Sequence, residues 1–361
     1  MVSININNPL SFGYLRAVEN KYMQRCFQLA RMGLGFVAPN PLVGCVIVNK
    51  NRIIGEGYHH QYGGPHAEVF AIRSVSDPEL LKHSTLYVSL EPCAHHGKTP
   101  PCAELIVESG IPKVVIANRD PFEAVNGKGI EKLQLAGIEV VSGVCEEEGS
   151  RMNRRFFTFH NKKRPYVILK AVQSQDGFMD PPRNEDEKGI RWISAHETAI
   201  LTHQWRAEES AILIGTRTAQ VDNPSLTTRQ VSGPNPLRLL IDKNCSVPAD
   251  AALFSQDAQT VVFNAKKSGS ESHVQWVKLD FAQSVVPQIM DWCHQHHIQS
   301  VLVEGGAATL QGFLDSECWD EARLISGNVR FGKGLPTPSI KGKSVRRYTF
   351  GGDRIEHIIP Q

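Results

Sequence analysis

Three side chains that can bind a transition metal fall within one short region of the sequence. His66 opens the segment His-Ala-Glu, and Cys93 and Cys102 follow a strand-like hydrophobic run. Imidazole and thiolate are ligands that zinc prefers, and a catalytic zinc site leaves its fourth position to water. Glu68, two residues after the histidine, could take a proton from that water and deliver it to a leaving amine. The pattern predicts a zinc-dependent deaminase in which Glu68 is catalytic.

The spacing of the two cysteines departs from the general deaminase motif. Eight residues, from Ala94 to Pro101, separate Cys93 from Cys102, where the general motif has two. A structural zinc site, or two unrelated buried cysteines, is the alternative interpretation. The remaining cysteines are scattered along the chain, which indicates small buried side chains and not a disulfide scaffold.

Longer stretches around these residues resemble a known family. The run Ser-Leu-Glu-Pro-Cys-Ala-His-His-Gly-Lys-Thr-Pro-Pro-Cys, residues 89–102, is similar to the pyrimidine deaminase of riboflavin biosynthesis. In this subgroup of the cytidine deaminase superfamily, the insertion between the cysteines is characteristic. Residues 39–44, 55–66, 118–121 and 125–129 also match it. In the family these loops hold a diaminopyrimidine and its ribose phosphate, which implies substrate contacts from Asn40, His59, Lys98 and Asp120.

Two strand-to-helix turns in the second half of the sequence could bind phosphate. At Gly215, and again at Gly305 and Gly306, an apolar strand runs into glycine and then into a helix start. Such turns present backbone N–H groups to a phosphate, and Arg206 with Arg229 could clamp one by bidentate hydrogen bonds. From the pattern alone, ordinary strand-to-helix turns are an equal alternative.

Together these segments resemble the reductase domain of the same pathway. The resemblance depends on the spacing of Gly215, Thr218, Asp222, Pro224, Leu226 and Arg229, on Trp192-Ile193-Ser194 and on Val303-Glu-Gly-Gly306. It implies a dihydrofolate-reductase-like fold and NADPH as cofactor. A deaminase followed by a reductase, over nearly the whole chain, is similar to the bifunctional bacterial enzymes of riboflavin biosynthesis.

That resemblance also implies the reactions and the residues of the second site. The deaminase would act on 2,5-diamino-6-ribosylamino-4(3H)-pyrimidinone 5′-phosphate, and the reductase would convert the ribosyl group to ribityl. The binding site for NADPH would be lined by Val172, Trp192, Thr218, Asp222, Gly306, Ala307, Ala308, Thr309, Leu310, Gln311 and Gly312. The substrate phosphate of the reductase would be held by Arg206, Leu226, Arg229 and Glu304.

One loop departs from the reductase pattern. Residues 178–187 are longer and more acidic than the usual loop of the family, and Ile190 stands where a serine commonly precedes the tryptophan. The departure puts the substrate contact near Ile190 in question. An alternative is therefore a zinc deaminase with a catalytically silent second domain.

Length and composition restrict the class of protein. The chain has 361 residues, more than one average domain holds, and its 41% hydrophobic and 21% charged residues are typical of globular proteins. A formal charge of +2 provides no long-range field for a nucleic acid or an anionic membrane, which argues against a nucleic-acid deaminase. No apolar run approaches the ~18 residues of a spanning helix, and no signal-peptide pattern is present. We expect a cytoplasmic enzyme, and the resemblance implies a homo-oligomer, a dimer or tetramer.

Hydrophobic periodicity predicts the elements that position these residues. In the first half, helices are expected over 15–32, from 66 onward and over 129–135, and strands over 43–48, 53–57, 85–90, 113–117 and 138–141. In the second half, strands are expected over 166–172, 211–215, 237–242, 260–264, 300–304, 322–326 and 354–359, and helices over 195–206, 284–297 and 307–314. Residues 1–12 show no periodicity and are expected to form a mobile arm.

The alternation of strands and helices predicts an α/β fold with two domains. A basic segment that ends in Pro165 interrupts the pattern, so we place the boundary near residue 162. A zinc-dependent pyrimidine deaminase domain, cytidine-deaminase-like, is expected over residues 1–162. An NADPH-dependent reductase domain, dihydrofolate-reductase-like, is expected over residues 163–361.

Overall fold

Alternating strands and helices form both halves of the chain. A computed structural model describes residues 9–94, 101–123, 125–184 and 187–361, with the backbone alone for residues 9–18. By its internal contacts the chain divides into two units, Met1–Lys162 and Lys163–Gln361. Within the described ranges, every helix is too short or too polar to span a bilayer.

The first unit is built on a five-stranded mixed sheet. Its strands are β1 (Gly44–Asn49), β2 (Arg52–Tyr58), β3 (Thr85–Leu90), β4 (Lys113–Asn118) and β5 (Glu139–Ser142), in the spatial order β2-β1-β3-β4-β5. β1 is antiparallel to both neighbours, and β3, β4 and β5 are parallel. The helices are α1 (Pro9–Arg31), α2 (Ala67–Arg73), α3 (Cys102–Glu108), α4 (Lys128–Leu135), α5 (Glu146–Met152) and α6 (Arg154–Lys162).

Helices cover both faces of this sheet. One apolar cluster joins α2, α3 and α4 to one face, and a second cluster joins α1 and α5 to the other. The predicted buried face of α1 is confirmed, since Met23, Cys26, Phe27 and Ala30 are all fully buried. α1 begins at Pro9, earlier than predicted, and residues 9–12 are therefore helical. A proline is tolerated at the first helical position, where its missing N–H would have no partner.

The second unit is built on a ten-stranded sheet. Its order is β11-β12-β10-β9-β8-β13-β6-β14-β17-β16, formed by β6 (Tyr166–Gln173), β8 (Ala211–Gly215), β9 (Leu237–Ile241), β10 (Thr260–Asn264), β11 (Gly269–Glu271), β12 (Val274–Lys278), β13 (Ser300–Val303), β14 (Glu321–Ser326), β16 (Lys343–Phe350) and β17 (Asp353–Ile359). Short strands β7 (Phe178–Asp180) and β15 (Leu335–Pro336) pair separately. The helices are α7 (His196–Glu208), α8 (Thr216–Asp222), α9 (Val285–Gln295) and α10 (Ala307–Asp315).

The central strands of the second sheet are parallel. β6, β8, β9, β10, β12, β13 and β14 run in the same direction. β11 and β17 run opposite to them, and the edge strand β16 pairs antiparallel with β17. The carboxyl ends of parallel strands meet at one edge of a sheet, which is where ligands bind in open α/β folds. The turns after β8 and β13 therefore lie side by side. The α/β fold class is confirmed, whereas the exposed edge strand β16 was not predicted.

Candidate active sites

The loops at one end of the first sheet bring His66, Cys93 and Cys102 together. His66 caps α2, Cys93 follows β3, and Cys102 is the first residue of α3. Their ligand atoms lie within 4.8 Å of one another, and His66 Nδ1 is 3.3 Å from Cys102 Sγ and 3.5 Å from Cys93 Sγ. The two cysteines are therefore neighbours despite the long insertion between them. No second group of three such ligands occurs in the part of the chain that the structure describes.

The chemistry of this donor set fits zinc. Two thiols and one imidazole are the set that catalytic zinc takes in deaminases. Hydrogen bonds with Cys102 and His66 lower the pKa of the Cys93 thiol, so the thiolate that a metal requires is favoured. Glu68, in the first turn of α2, is 3% exposed, and its Oε2 has no hydrogen-bond partner among the described residues. Burial raises the pKa of Glu68, which suits a residue that both takes and gives a proton.

Two of the predicted substrate residues of the deaminase are in contact. Asn40 Nδ2 lies 3.0 Å from His59 Nε2, and His59 Nδ1 lies 2.9 Å from the Pro65 carbonyl oxygen. The carbonyl can only accept, so Nδ1 carries the proton and Nε2 accepts from the amide of Asn40. Burial lowers the pKa of His59, which favours this neutral form. The His59 ring lies edge-on to the His66 ring at 5.4 Å, next to the metal ligands.

The predicted residue Asp120 lies at the same edge of the sheet. Because β3 and β4 are parallel, with Leu90 opposite Asn118, the segments that carry Cys93 and Asp120 leave the sheet side by side. Burial raises the pKa of Asp120 to about 7. Lys98, the fourth predicted substrate residue, lies outside the described residues.

Glu91 has a structural role that the sequence analysis missed. This carboxylate is 4% exposed and accepts four backbone N–H bonds, from Asp120 (3.2 Å), Gly127 (3.0 Å), Gly129 (3.0 Å) and Ile130 (3.2 Å). It thereby holds the Asp120 loop and the start of α4 next to Cys93. The signal in the sequence was an acidic residue directly after an apolar strand, because a buried carboxylate needs hydrogen-bond partners.

In the second unit, a buried carboxylate organises the predicted phosphate site. Glu304 follows β13 and accepts from Arg206 at 2.8 and 2.9 Å and from Lys170 at 3.3 Å. Burial would raise the pKa of Glu304, but the two cations outweigh it and lower the pKa to about 2. Lys170 was not predicted. The sequence feature that could have indicated Lys170 is its charge within the apolar run of β6. Because β6 pairs with β13, Lys170 lies beside Glu304.

Arg229 lies close to this cluster through the turn before it. The Arg229 side chain donates to Thr227 Oγ1 at 2.9 Å, and Arg206 Nη1 lies 3.4 Å from the Thr227 carbonyl oxygen. The Arg229 backbone N–H donates to His203 Nδ1 at 3.2 Å. Leu226, in contrast, is 2% exposed and packs in the core, with its backbone at a φ of 56°. Any ligand contact from Leu226 must therefore come from its backbone.

The two glycine turns of the predicted cofactor site are packed against each other. The Gly306 N–H donates to Thr218 Oγ1 at 3.0 Å, and a Cβ on Gly215 would lie 2.5 Å from Thr309 Oγ1. The starts of α8 and α10 are therefore adjacent, with no room for a side chain at Gly215.

The other residues predicted to line NADPH differ in exposure. Trp192 is 66% exposed, and Leu310 is buried in the core at 1%. Gln311 donates to Asp315 on the surface, while Val172 packs at the edge of a core cluster. Asp222 is the last residue of α8. The structure therefore places Thr218, Asp222 and the glycine turn at the parallel-strand edge, with Leu310 turned into the core.

Comparisons with known proteins match both halves of the chain. Residues 165–359 match the family model described as the RibD C-terminal domain, and residues 17–118 match the cytidine and deoxycytidylate deaminase zinc-binding region. The riboflavin biosynthesis protein RibD of Aquifex aeolicus is 37% identical over 338 residues, 92% of this chain and 93% of that protein. The RibD protein of Bacillus amyloliquefaciens is 38% identical, over 90% of this chain and 89% of its own length.

Solved structures show the same similarity over nearly the whole fold. A diaminohydroxyphosphoribosylaminopyrimidine deaminase/5-amino-6-(5-phosphoribosylamino)uracil reductase from Thermotoga maritima superposes with a TM-score of 0.87 at 37% identity, covering 96% of this chain and 100% of that chain. RibD of Acinetobacter baumannii superposes with a TM-score of 0.87 at 30% identity, covering 96% of this chain and 99% of that chain. The resemblance found in the motifs is confirmed.

Proposed function

The chain belongs to the RibD family of riboflavin biosynthesis proteins, and we propose that its two domains act in turn on one ribosylaminopyrimidine phosphate. It is a bifunctional enzyme with a zinc-dependent deaminase domain and an NADPH-dependent reductase domain. We assign the deaminase to residues 1–162 and the reductase to residues 163–361. The first substrate is 2,5-diamino-6-ribosylamino-4(3H)-pyrimidinone 5′-phosphate.

In the deaminase, His66, Cys93 and Cys102 hold zinc, and Glu68 is the acid and base. The observation that supports this proposal is the approach of the three ligand atoms to within 4.8 Å, beside a buried carboxyl oxygen that lacks a partner. When bound, zinc supplies an activated water at neutral pH. Glu68 takes a proton from the nucleophile and returns it to the exocyclic amine, which leaves as ammonia.

The substrate of the deaminase is held by Asn40, His59, Lys98 and Asp120. The hydrogen bond from Asn40 fixes His59 as a neutral ring beside the metal ligands, where it can contact the pyrimidine. Glu91 acts as a positioning residue, since it fixes the loop that carries Asp120. With these residues assigned to binding and positioning, Glu68 is the residue that transfers protons.

In the reductase, the residues mainly bind and orient the reactants, because hydride chemistry belongs to the cofactor. Val172, Trp192, Thr218, Asp222 and residues 306–312 are assigned to NADPH. Arg206, Leu226, Arg229 and Glu304 are assigned to the phosphorylated substrate, with Lys170 added because it shares the Glu304 carboxylate. The buried ion pair with Glu304 orients Arg206, so its remaining N–H groups can face a phosphate.

A coupled assay on the diamino substrate tests both activities separately. Ammonia release reports the deaminase, NADPH consumption reports the reductase, and zinc is quantified in the same sample. We expect ammonia release that needs zinc, followed by NADPH oxidation that needs the deaminated product. Ammonia release without NADPH oxidation would refute the second activity and favour a silent second domain. A cytoplasmic location and a homo-oligomeric state remain predictions.

A further inference from the structure

Arg183, outside the predicted sites, lies between two carboxylates of the second unit. It follows β7 in the acidic loop that departs from the family pattern. Its Nε donates to Asp180 Oδ2 at 2.6 Å, and its Nη2 lies 4.0 Å from Asp222 Oδ1. Its side chain is 6% exposed, and those of Asp180 and Asp222 are 21% and 33% exposed, so water screens these interactions in part. The guanidinium therefore compensates two neighbouring negative charges.

The same guanidinium holds its loop against α8. Arg183 Nη1 donates to the Gly189 carbonyl oxygen at 2.8 Å, and the Gly189 N–H donates to the Val221 carbonyl oxygen at 2.8 Å. Val221 and Asp222 end α8, and Trp192 follows Gly189 by three residues. Arg183 thus connects the two segments that carry Asp222 and Trp192.

The charges around Asp222 depend on this arginine. Burial raises the pKa of Asp222, and the charge of Asp180 adds to that rise, whereas the charge of Arg183 and, to a smaller extent, that of Lys170 oppose it. Without Arg183, the two carboxylates would repel each other. They would also repel an anionic ligand that approaches the end of α8.

We propose that Arg183 is a positioning residue of the cofactor site, which holds the Asp222 and Trp192 segments together and compensates the carboxylates that an anionic dinucleotide would meet. The inference rests on the proposed function, because Asp222 and Trp192 are assigned to NADPH there. The proposal gives a role in cofactor binding to the loop that departs from the family pattern.

The test compares Arg183→Gln with Lys188→Gln in the full chain. Lys188 is an exposed lysine directly after the same loop, so both variants lose one positive charge. Fluorescence titration measures the Kd for NADPH, steady-state kinetics separate KM for NADPH from kcat, and ammonia release reports the integrity of the first domain. We expect Arg183→Gln to raise Kd and KM about tenfold and Lys188→Gln to change them less than about twofold.

Two further variants distinguish a charge effect from a general loss of structure. Adding Asp180→Asn to Arg183→Gln removes one uncompensated carboxylate and should recover part of the lost affinity for NADPH. Arg183→Lys keeps the charge and should give an intermediate Kd, which keeps the test decisive if the glutamine variant does not fold.

Two different results would contradict the proposal, and they can be distinguished from each other. If Arg183→Gln and Arg183→Lys bind NADPH as tightly as Lys188→Gln does, the positioning role is refuted while the reductase assignment stands. If the unchanged chain neither binds NADPH nor oxidises it with the deaminated substrate, the proposed function of the second domain fails, and this inference fails with it.

Discussion

Replacing Glu91 by glutamine should destabilise the first unit strongly. The carboxylate accepts two backbone N–H bonds on each oxygen, from Asp120 and Gly127 on one and from Gly129 and Ile130 on the other. An amide replaces one oxygen by an NH₂ group, which would face two N–H donors without accepting from them. Losing two hydrogen bonds to a charged group costs about 3 to 6 kcal/mol. That is a large share of the roughly 5 to 15 kcal/mol that stabilises a typical domain.

Glu56→Gln is a matched control within the first unit. Glu56 accepts from Arg25 at 2.7 and 2.9 Å, but the side chains of Glu56 and Arg25 are 32% and 41% exposed. Exposed ion pairs contribute about 0 to 1 kcal/mol, so this change should cost less than about 1 kcal/mol. Both variants convert one carboxylate of the first unit to an amide.

Urea unfolding of the full chain measures the difference. Far-UV circular dichroism follows both units, whereas tryptophan emission reports the second unit alone, because the five tryptophans all lie at or beyond position 192. We expect Glu91→Gln to shift the dichroism transition and to leave the tryptophan transition in place. Faster amide hydrogen exchange at Asp120, Gly127, Gly129 and Ile130 should accompany the shift. A free energy of unfolding within about 1 kcal/mol of the Glu56→Gln control would refute the role given to Glu91.

Further predictions concern both sites. Glu68→Gln should slow ammonia release by about 10² to 10⁴ while zinc content and NADPH oxidation on the deaminated substrate are retained; full deaminase activity would contradict the mechanism. Removing zinc with a chelator, or Cys93→Ser, should abolish ammonia release and spare NADPH oxidation, as measured in the coupled assay. Glu304→Gln should cost the second unit about 3 to 5 kcal/mol by tryptophan-monitored unfolding, because the buried Arg206 and Lys170 lose their counter-charge. Since the folded pKa of Glu304, about 2, lies below its ordinary value, its stabilisation is present above about pH 5 and is lost as pH falls toward 2. The difference between parent and variant should therefore shrink over that interval, and a constant difference would contradict the ion-pair interpretation.

The chemistry of the deaminase could be predicted from the sequence because it depends on residue types at short spacing. His66 and Glu68 lie two residues apart at a helix start, and Cys93 comes three residues after the end of a predicted strand, so local structure places most of the site. The buried face of α1 was predictable for the same reason, since its periodicity is local. The core of each sheet also follows from local apolar runs.

Residues that act through neighbouring strands could not be predicted in this way. Glu91 meets its four N–H partners only because β3 lies beside β4, and Lys170 meets Glu304 only because β6 pairs with β13. Arg183 reaches Asp222 across 39 residues of sequence, from the loop that departs from the reductase pattern. Composition and spacing contain no information about such pairs.

The sequence by itself therefore determined the α/β class and the order of the two activities, and it predicted the metal ligands and the proton-transfer residue. Motif spacing and hydrophobic periodicity are local properties, so they can be recognised without knowledge of the fold. The tertiary structure alone decided which groups stabilise the charges of Glu91, Glu304 and Arg183. A buried charge must find its partners among groups that are near in space, and the order of strands in a sheet sets which groups those are.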